Sequence, residues 1–263
     1  MRHALFLPIF DELADPRVVA GIAADAEAAG WDGVFVWDHI GYREGVELVA
    51  DPWVTMAAMA CATSSVRLGP MITPLPRRRP VKVAREVATL DRLSQGRVVL
   101  GVGIGGDGAG ELSATGEELD DRVRGAMLDE GLEILTRAWT GERLHHRGTH
   151  YVADGITLRP TPVQDHLPVW VAVRYGRPAP LRRAARFDGV FPIEVEHPDQ
   201  LAETLAGLER PTDRPYDVAV GAEDDRDPRP YEALGATWWM RGFSPYGITA
   251  SAVRDVLGAG PLR

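Results

Sequence analysis

The sequence predicts an α/β protein folded as a single (β/α)₈ barrel. Three observations predict it. Eight short apolar runs, each bounded by glycine, proline or a charge, read as strands buried on both faces. They alternate from end to end with segments whose apolar residues recur at three-to-four spacing, the mark of helices with one buried face. A chain of 263 residues is about the length that eight such units need. An open doubly wound sheet satisfies the same alternation, and eight units favour closure.

The predicted strands cover residues 4–9, 33–38, 66–72, 98–103, 169–173, 189–193, 216–221 and 237–240. The first helix, 16–29, turns Val19, Ile22, Ala23 and Ala26 to one side, and Gly30 stops it. The second, 52–62, opens on Asp51-Pro52, an N-cap followed by the residue best tolerated in a first turn. The third, 80–93, aligns Val83, Val87 and Leu90 before Ser94-Gln95-Gly96. The fourth, 121–139, places Val123, Met127, Ile134 and Ala138 on one face, with Trp139 as packing. Weaker helices follow at 178–187, 198–208, 228–234 and 249–257. Residues 143–160, with Gly148, Tyr151 and Ile156-Thr157-Leu158, read as a β-hairpin inserted before the fifth strand. No repeat, low-complexity tract or linker interrupts the pattern, so one domain is expected over 1–263.

Composition narrows the function. Hydrophobic residues make up 45%, enough for a sizeable core. A net charge of -9 argues against nucleic acid as the main partner. No apolar run approaches the roughly 20 residues of a membrane span. MRHALFLPIF is followed by no small-residue cleavage site, and one cysteine, Cys61, suits a reducing cytoplasm and reads as helix packing.

In a barrel of this kind, chemistry gathers where strands end. Those ends carry Phe10 and Asp11, then Asp38, His39 and Tyr42. Next come Thr73 and the run PRRRP at 76–80, the glycines from Gly105 to Gly108, and Arg174-Tyr175-Gly176-Arg177. The last three strands deliver Glu194, Glu223 and Arg241. His39 can carry a proton near neutral pH, and Asp38 can bias its charge or brace a loop. Neighbours on a strand point opposite ways, so the two need not touch, and position alone leaves their role open. GVGIGG matches a dinucleotide-binding spacing but runs into a polar loop rather than a helix, which rejects that reading. The arginines of RYGRPAP and PRRRP suit an anion or a solvated face equally. His145-His146 lacks partners at metal-ligand spacing, and no serine elbow or P-loop is present.

Five stretches resemble the bacterial-luciferase-like oxidoreductases: AGWDGVFVWDHI, the whole of 51–103 from DPWVTMAAMA to VVLGVG, LDEGLEILTRAW, and more loosely VWVAVRYGRPAPLRRAARFDGVFP and GATWW near the end. The resemblance implies a TIM barrel that binds reduced FMN or the deazaflavin coenzyme F-420 at its C-terminal mouth. It carries the catalytic acid–histidine position onto Asp38 and His39 and a catalytic glutamate onto Glu111. It places a bulge beside the cofactor at Ile72-Thr73, close backbone approach at Gly101 and Gly103, and the phosphate turn at Val173, Arg174, Tyr175, Gly176 and Arg177. The arginines there stand where many relatives carry glycines. Phe10, Tyr42 and Trp238 are the candidates for a substrate pocket. With reduced FMN the implied activity is a monooxygenase on a small organic substrate, supplied by a flavin reductase; this is the leading expectation. With F-420 it is hydride transfer. A third reading is a flavin-binding or partner subunit without turnover. The two enzyme readings suit a cytoplasmic homodimer with no membrane partner, whereas a partner subunit would sit in a hetero-oligomer.

Overall fold

The computed structural model describes residues 1–174, 176–223 and 226–261. β1 (Arg2–Leu7), β2 (Gly33–Val36), β3 (Arg67–Pro70), β4 (Thr73–Pro74), β5 (Leu100–Gly103), β8 (Val169–Arg174), β9 (Gly189–Ile193), β10 (Asp217–Ala222) and β11 (Trp238–Gly242) form one sheet. Its order is β3-β2-β1-β11-β10-β9-β8-β5-β4, and its pairs are parallel. A parallel bridge from Leu68 to Val98 brings β3 back to the strand that continues as β5, bending the sheet into a barrel. The other sheet is antiparallel and pairs β6 (Arg143–Arg147) with β7 (Val152–Thr157).

Helices α1 (Pro16–Ala28), α2 (Pro52–Ala62), α3 (Pro80–Leu93), α4 (Asp121–Ala138), α5 (Pro178–Ala184), α6 (Pro198–Ala206), α7 (Arg229–Ala233) and α8 (Ala250–Ala259) alternate with the barrel strands. Local chemistry starts several of them. Asp15, Asp51 and Asp120 accept hydrogen bonds from free first-turn N–H groups, and Pro16 and Pro52 fill positions whose own N–H would be unsatisfied. The face of α1 is as read: Val19, Ile22, Ala23 and Ala26 are buried. The face of α4 is not. Leu128, Gly131, Leu132 and Leu135 are buried with Ile134 and Ala138, while Val123 and Met127 lie at its edge. Gly131 settles this orientation, since a Cβ there would come within 3.0 Å of Leu75. Cys61 is also corrected: it lies on the exposed face of α2, outside the core.

Alternation along the strands divides the apolar side chains between two clusters. One set points out towards the helices: Leu5 and Leu7 of β1, Val34 and Val36 of β2, Val218 and Val220 of β10. The other points in: Ala4, Phe35, Met71, Val99, Trp170, Phe191, Ala219, Trp238 and Met240. Phe35, Trp170 and Trp238 meet with centroids 5.5–5.7 Å apart and plug the barrel. Such aromatic contacts contribute about 0.5–1.5 kcal/mol each beyond the burial of their area. Above the plug, Phe6, Ile72, Ala172 and Ile193 are only partly buried. They form an apolar floor beneath the C-terminal mouth.

No helix among the described residues is long and apolar enough to cross a membrane.

Candidate functional site

The residues that follow β2 turn in opposite directions at the mouth. Asp38 faces outward, its side chain 0% exposed. Arg78 Nη2 donates to both its oxygens, at 2.7 and 2.8 Å, Arg77 Nη2 donates to Oδ1 at 2.9 Å, and the Thr73 hydroxyl donates to Oδ2 at 2.9 Å. Two guanidinium groups and a hydroxyl replace the water this carboxylate loses, which offsets a desolvation cost of several kcal/mol. With no exposed surface, Asp38 is a brace for the strand end rather than a group that meets a ligand. Thr73 likewise spends its hydroxyl on Asp38, away from the mouth.

His39 faces inward. Its Nδ1 lies 2.7 Å from Glu111 Oε2, and its side chain keeps 27% of its surface exposed. Glu111 is brought from the loop after β5, 72 residues along the chain, and its Oε1 accepts from the Ile40 N–H at 2.6 Å and from Arg77 Nη1 at 3.1 Å. Burial pushes the Glu111 carboxyl up. Hydrogen bonds from His39 and the Ile40 N–H, with the charges of His39 and Arg77, outweigh that and hold it below the usual carboxylate range. Glu111 is therefore ionised across neutral pH.

Aromatic rings surround this pair. Phe6, Trp37, Phe10, Tyr42 and Tyr246 run from the floor to the surface, with successive centroids at 5.5, 5.9, 4.8 and 6.3 Å. His39 sits against three of them: Tyr42 at 5.0 Å and Phe10 and Trp37 at 5.8 Å. Burial raises the Tyr42 phenol above its ordinary value, so it stays protonated near neutrality.

The remaining candidates divide. Ile72 stays partly open on the floor, and the Met71–Ile72 peptide just before it is cis. A Cβ on Gly101 would fall 2.4 Å from the Pro70 carbonyl and 2.5 Å from Met71 Sδ, and one on Gly103 would meet Ile72 Cδ1 at 2.8 Å. These glycines make room for the chain's own bulge after β3, and Gly103 does so beside Ile72 and Ala172 of the floor. Val173 is buried and turned outward, so only its backbone is near the mouth. Arg174 is exposed and pairs with Glu194 at 3.1 Å, and Gly176 takes a positive φ in the turn before α5. Arg177 is exposed at the start of that helix, and Tyr175 lies outside the described residues. Tyr42 lines the mouth. Phe10 is fully buried and backs the wall instead of facing a ligand. Trp238 is at the opposite end: it pairs in register with Arg2, whose guanidinium lies 4.4 Å from its ring, and it is part of the plug. Its strand phase and its place at the N-terminal end remove it from any substrate pocket at the mouth.

Arg77 and Arg78 are the residues that sequence reasoning undervalued. Three adjacent arginines suggested a solvated face or an anion grip; two of them neutralise the chain's own acids. Their signal was the strand-end acid Asp38, which needed a cation once buried. Among the described residues no cluster of three or more histidines, cysteines and acids suits a metal.

The family model for luciferase-like monooxygenases matches residues 1–223. The chain belongs to that family. Among curated members, it is 32% identical over 195 residues to an F-420-dependent glucose-6-phosphate dehydrogenase of Nakamurella multipartita, covering 72% of this chain and 56% of that protein. It is 31% identical over 262 residues to the enzyme of the same name from Kineococcus radiotolerans, covering 91% and 73%. The chain thus spans between about half and three quarters of these luciferase-like relatives. Among solved structures, an F-420-dependent secondary alcohol dehydrogenase superposes with a TM-score of 0.79 at 18% identity, covering 98% of this chain and 97% of that one. That likeness is one of fold.

Proposed function

We propose that this chain, acting as a single domain over 1–263, is a coenzyme F-420-dependent oxidoreductase. It would move a hydride between the deazaflavin and a small alcohol or carbonyl, with His39 carrying the accompanying proton. The observation that carries this reading is the 2.7 Å contact of His39 Nδ1 with an ionised, buried Glu111, joined to the apolar floor through Trp37, which lies against both His39 and Phe6. Oxidation of an alcohol releases a hydride from carbon and a proton from oxygen, so it needs a hydride acceptor and a base side by side. Both curated relatives act on a sugar phosphate by name. Each such substrate bears a hydroxyl on an oxidisable carbon. These names weigh towards F-420 over the flavin monooxygenase that leads on resemblance alone.

The residues present suit a flat ring. Phe6, Ile72, Ala172 and Ile193 offer an apolar surface, with Trp37 at its side and no charge on the floor itself. F-420, when bound, supplies a carbon that accepts or gives a hydride. The chain's own groups do the rest. The floor and aromatic wall exclude water and orient the ligand. Glu111 holds Nδ1, which leaves His39 Nε2 to take or return the substrate proton. The backbone of Val173, Arg174, Gly176 and Arg177, with the Arg174 and Arg177 side chains, would hold phosphate.

The test is a fluorescence titration of the full chain with F-420 and FMN, each oxidised and reduced. F-420 is expected to bind at micromolar levels or tighter and FMN more weakly. Preference for reduced FMN, with no F-420 binding at tens of micromolar, would return the monooxygenase reading to first place.

A further inference from the structure

Arg77 lies on the turn between β4 and α3, and its side chain is 5% exposed. Its two terminal nitrogens serve acids from different loops: Nη1 donates to Glu111 Oε1, while Nη2 donates to Asp38 Oδ1 and, at 3.1 Å, to the Asp38 carbonyl. Asp38 already has the Arg78 guanidinium on both oxygens. Charge balance at Asp38 therefore needs only Arg78. The second arginine is explained by Glu111, which among the described residues pairs with no other cationic side chain apart from His39 itself.

Geometry gives that contact a consequence. Arg77 and the Ile40 N–H both claim Oε1, so Oε2 is the oxygen left for His39 Nδ1. An ionised carboxylate only accepts, so a neutral imidazole facing it must carry its proton on Nδ1. Nε2 then keeps its lone pair. Among the described residues, the other titratable or charged groups near this pair are Asp38, Arg78 and Tyr42, with Arg43, Glu223 and Tyr246 further out around the Tyr42 phenol.

We propose that Arg77 is a positioning residue: acting through Glu111, it fixes His39 in the Nδ1-protonated tautomer and makes Nε2 the atom that exchanges a proton at the mouth. The consequence for turnover rests on the F-420 reading; the tautomer itself does not.

The experiment is nitrogen NMR on the full chain labelled with ¹⁵N-histidine, above the pH at which His39 is charged, with His39→Ala to assign its signals. Wild type should show one protonated-type nitrogen at Nδ1 and one unprotonated-type at Nε2. Arg77→Gln, which keeps a donor but cannot hold both acids, should move the two signals towards each other as the tautomers mix. Glu111→Ala should do the same, and adding Arg77→Gln to it should change nothing more. His39 signals in Arg77→Gln equal to wild type overturn the proposal, as does an equal effect of Arg77→Gln with and without Glu111. Should Arg77→Gln fail to fold, Glu111→Ala alone decides, and a retained single tautomer there overturns it. Where F-420 turnover is measurable, Arg77→Gln should lower kcat about tenfold with KM little changed, the size typical of partners that orient a working histidine. Failure of F-420 to bind would sink the cofactor reading and leave the tautomer result standing.

Discussion

Two buried arginines sit at opposite ends of the barrel, and the use made of each differs. Arg97, at the N-terminal end, donates to the carbonyls of Ala60, Thr63, Val66 and Ser94 and to the Thr63 hydroxyl, at 2.6–3.0 Å. All of these acceptors are neutral, and two are the free carbonyls at the end of α2, where a cation is favoured. Burial lowers the guanidinium from its ordinary value, with Glu27 opposing, and it remains charged. Arg77, at the C-terminal end, spends its donors mainly on two acids, and one of those acids ends on a partly exposed histidine. A network that closes on backbone can only hold. One that ends on a partly exposed imidazole can pass a proton. The difference matches the division of a barrel into a stabilising end and a reactive end.

Turnover and stability, read on the same variants, separate the two ends of the barrel. His39→Ala is expected to lower turnover by about 10²–10⁴-fold, the usual weight of a general acid or base, while urea unfolding shifts by less than about 1 kcal/mol. Turnover equal to wild type would remove His39 from the chemistry. Arg97→Met should behave in the opposite way. It leaves a set of buried carbonyls without donors and should cost about 3 kcal/mol in urea unfolding, with the activity of the folded fraction unchanged. A loss of turnover without a loss of stability would show that the N-terminal end is not purely structural.

Glu27 sharpens the contrast through pH. Burial pushes its carboxyl up, but the Ser65 hydroxyl and the N–H groups of Ser65, Ser64 and Val66 outweigh this and bring it down to about 2. A carboxyl lowered on folding contributes stability above its ordinary value of 4.5, and that contribution is lost as pH falls towards about 2. Glu27→Ala should therefore cost about 1–2 kcal/mol at pH 7, less than full linkage because the group is partly in water, and close to nothing near pH 2. An equal cost at both pH values would mean that packing, not charge, gives Glu27 its effect. Cys61→Ser, on the exposed face of α2, should change stability by no more than about 0.5 kcal/mol.

Much of the fold was legible because it depends on neighbours in sequence. Pro16 and Pro52 after their capping aspartates, the stripe of α1, and Gly189–Ile193 between turn residues are local facts. The candidate site was legible in part: Asp38 and His39 stand at a strand end, and Glu111 follows the next barrel strand but one. The rest was not. Val123 and Met127 have helical spacing, but so do Leu128, Leu132 and Leu135, and only contact with Leu75 chooses between the stripes. Trp238 and Tyr42 are both aromatic residues beside strands, and composition cannot say which end of the barrel each occupies.

The sequence by itself determined the alternation of strands and helices, where most helices begin, and that a histidine able to carry a proton ends the second strand. Backbone geometry and side-chain size set those within a few residues. Only the tertiary structure decided that Asp38 is a brace, that Glu111 meets His39 across 72 residues, and that Arg77 joins the two acids. It also decided that Gly101 makes room for Met71 and that Trp238 plugs the barrel at the end away from the mouth. The reason is closure: the phase of each strand about the barrel axis, and which loops meet at the mouth, exist only once the sheet has returned upon itself.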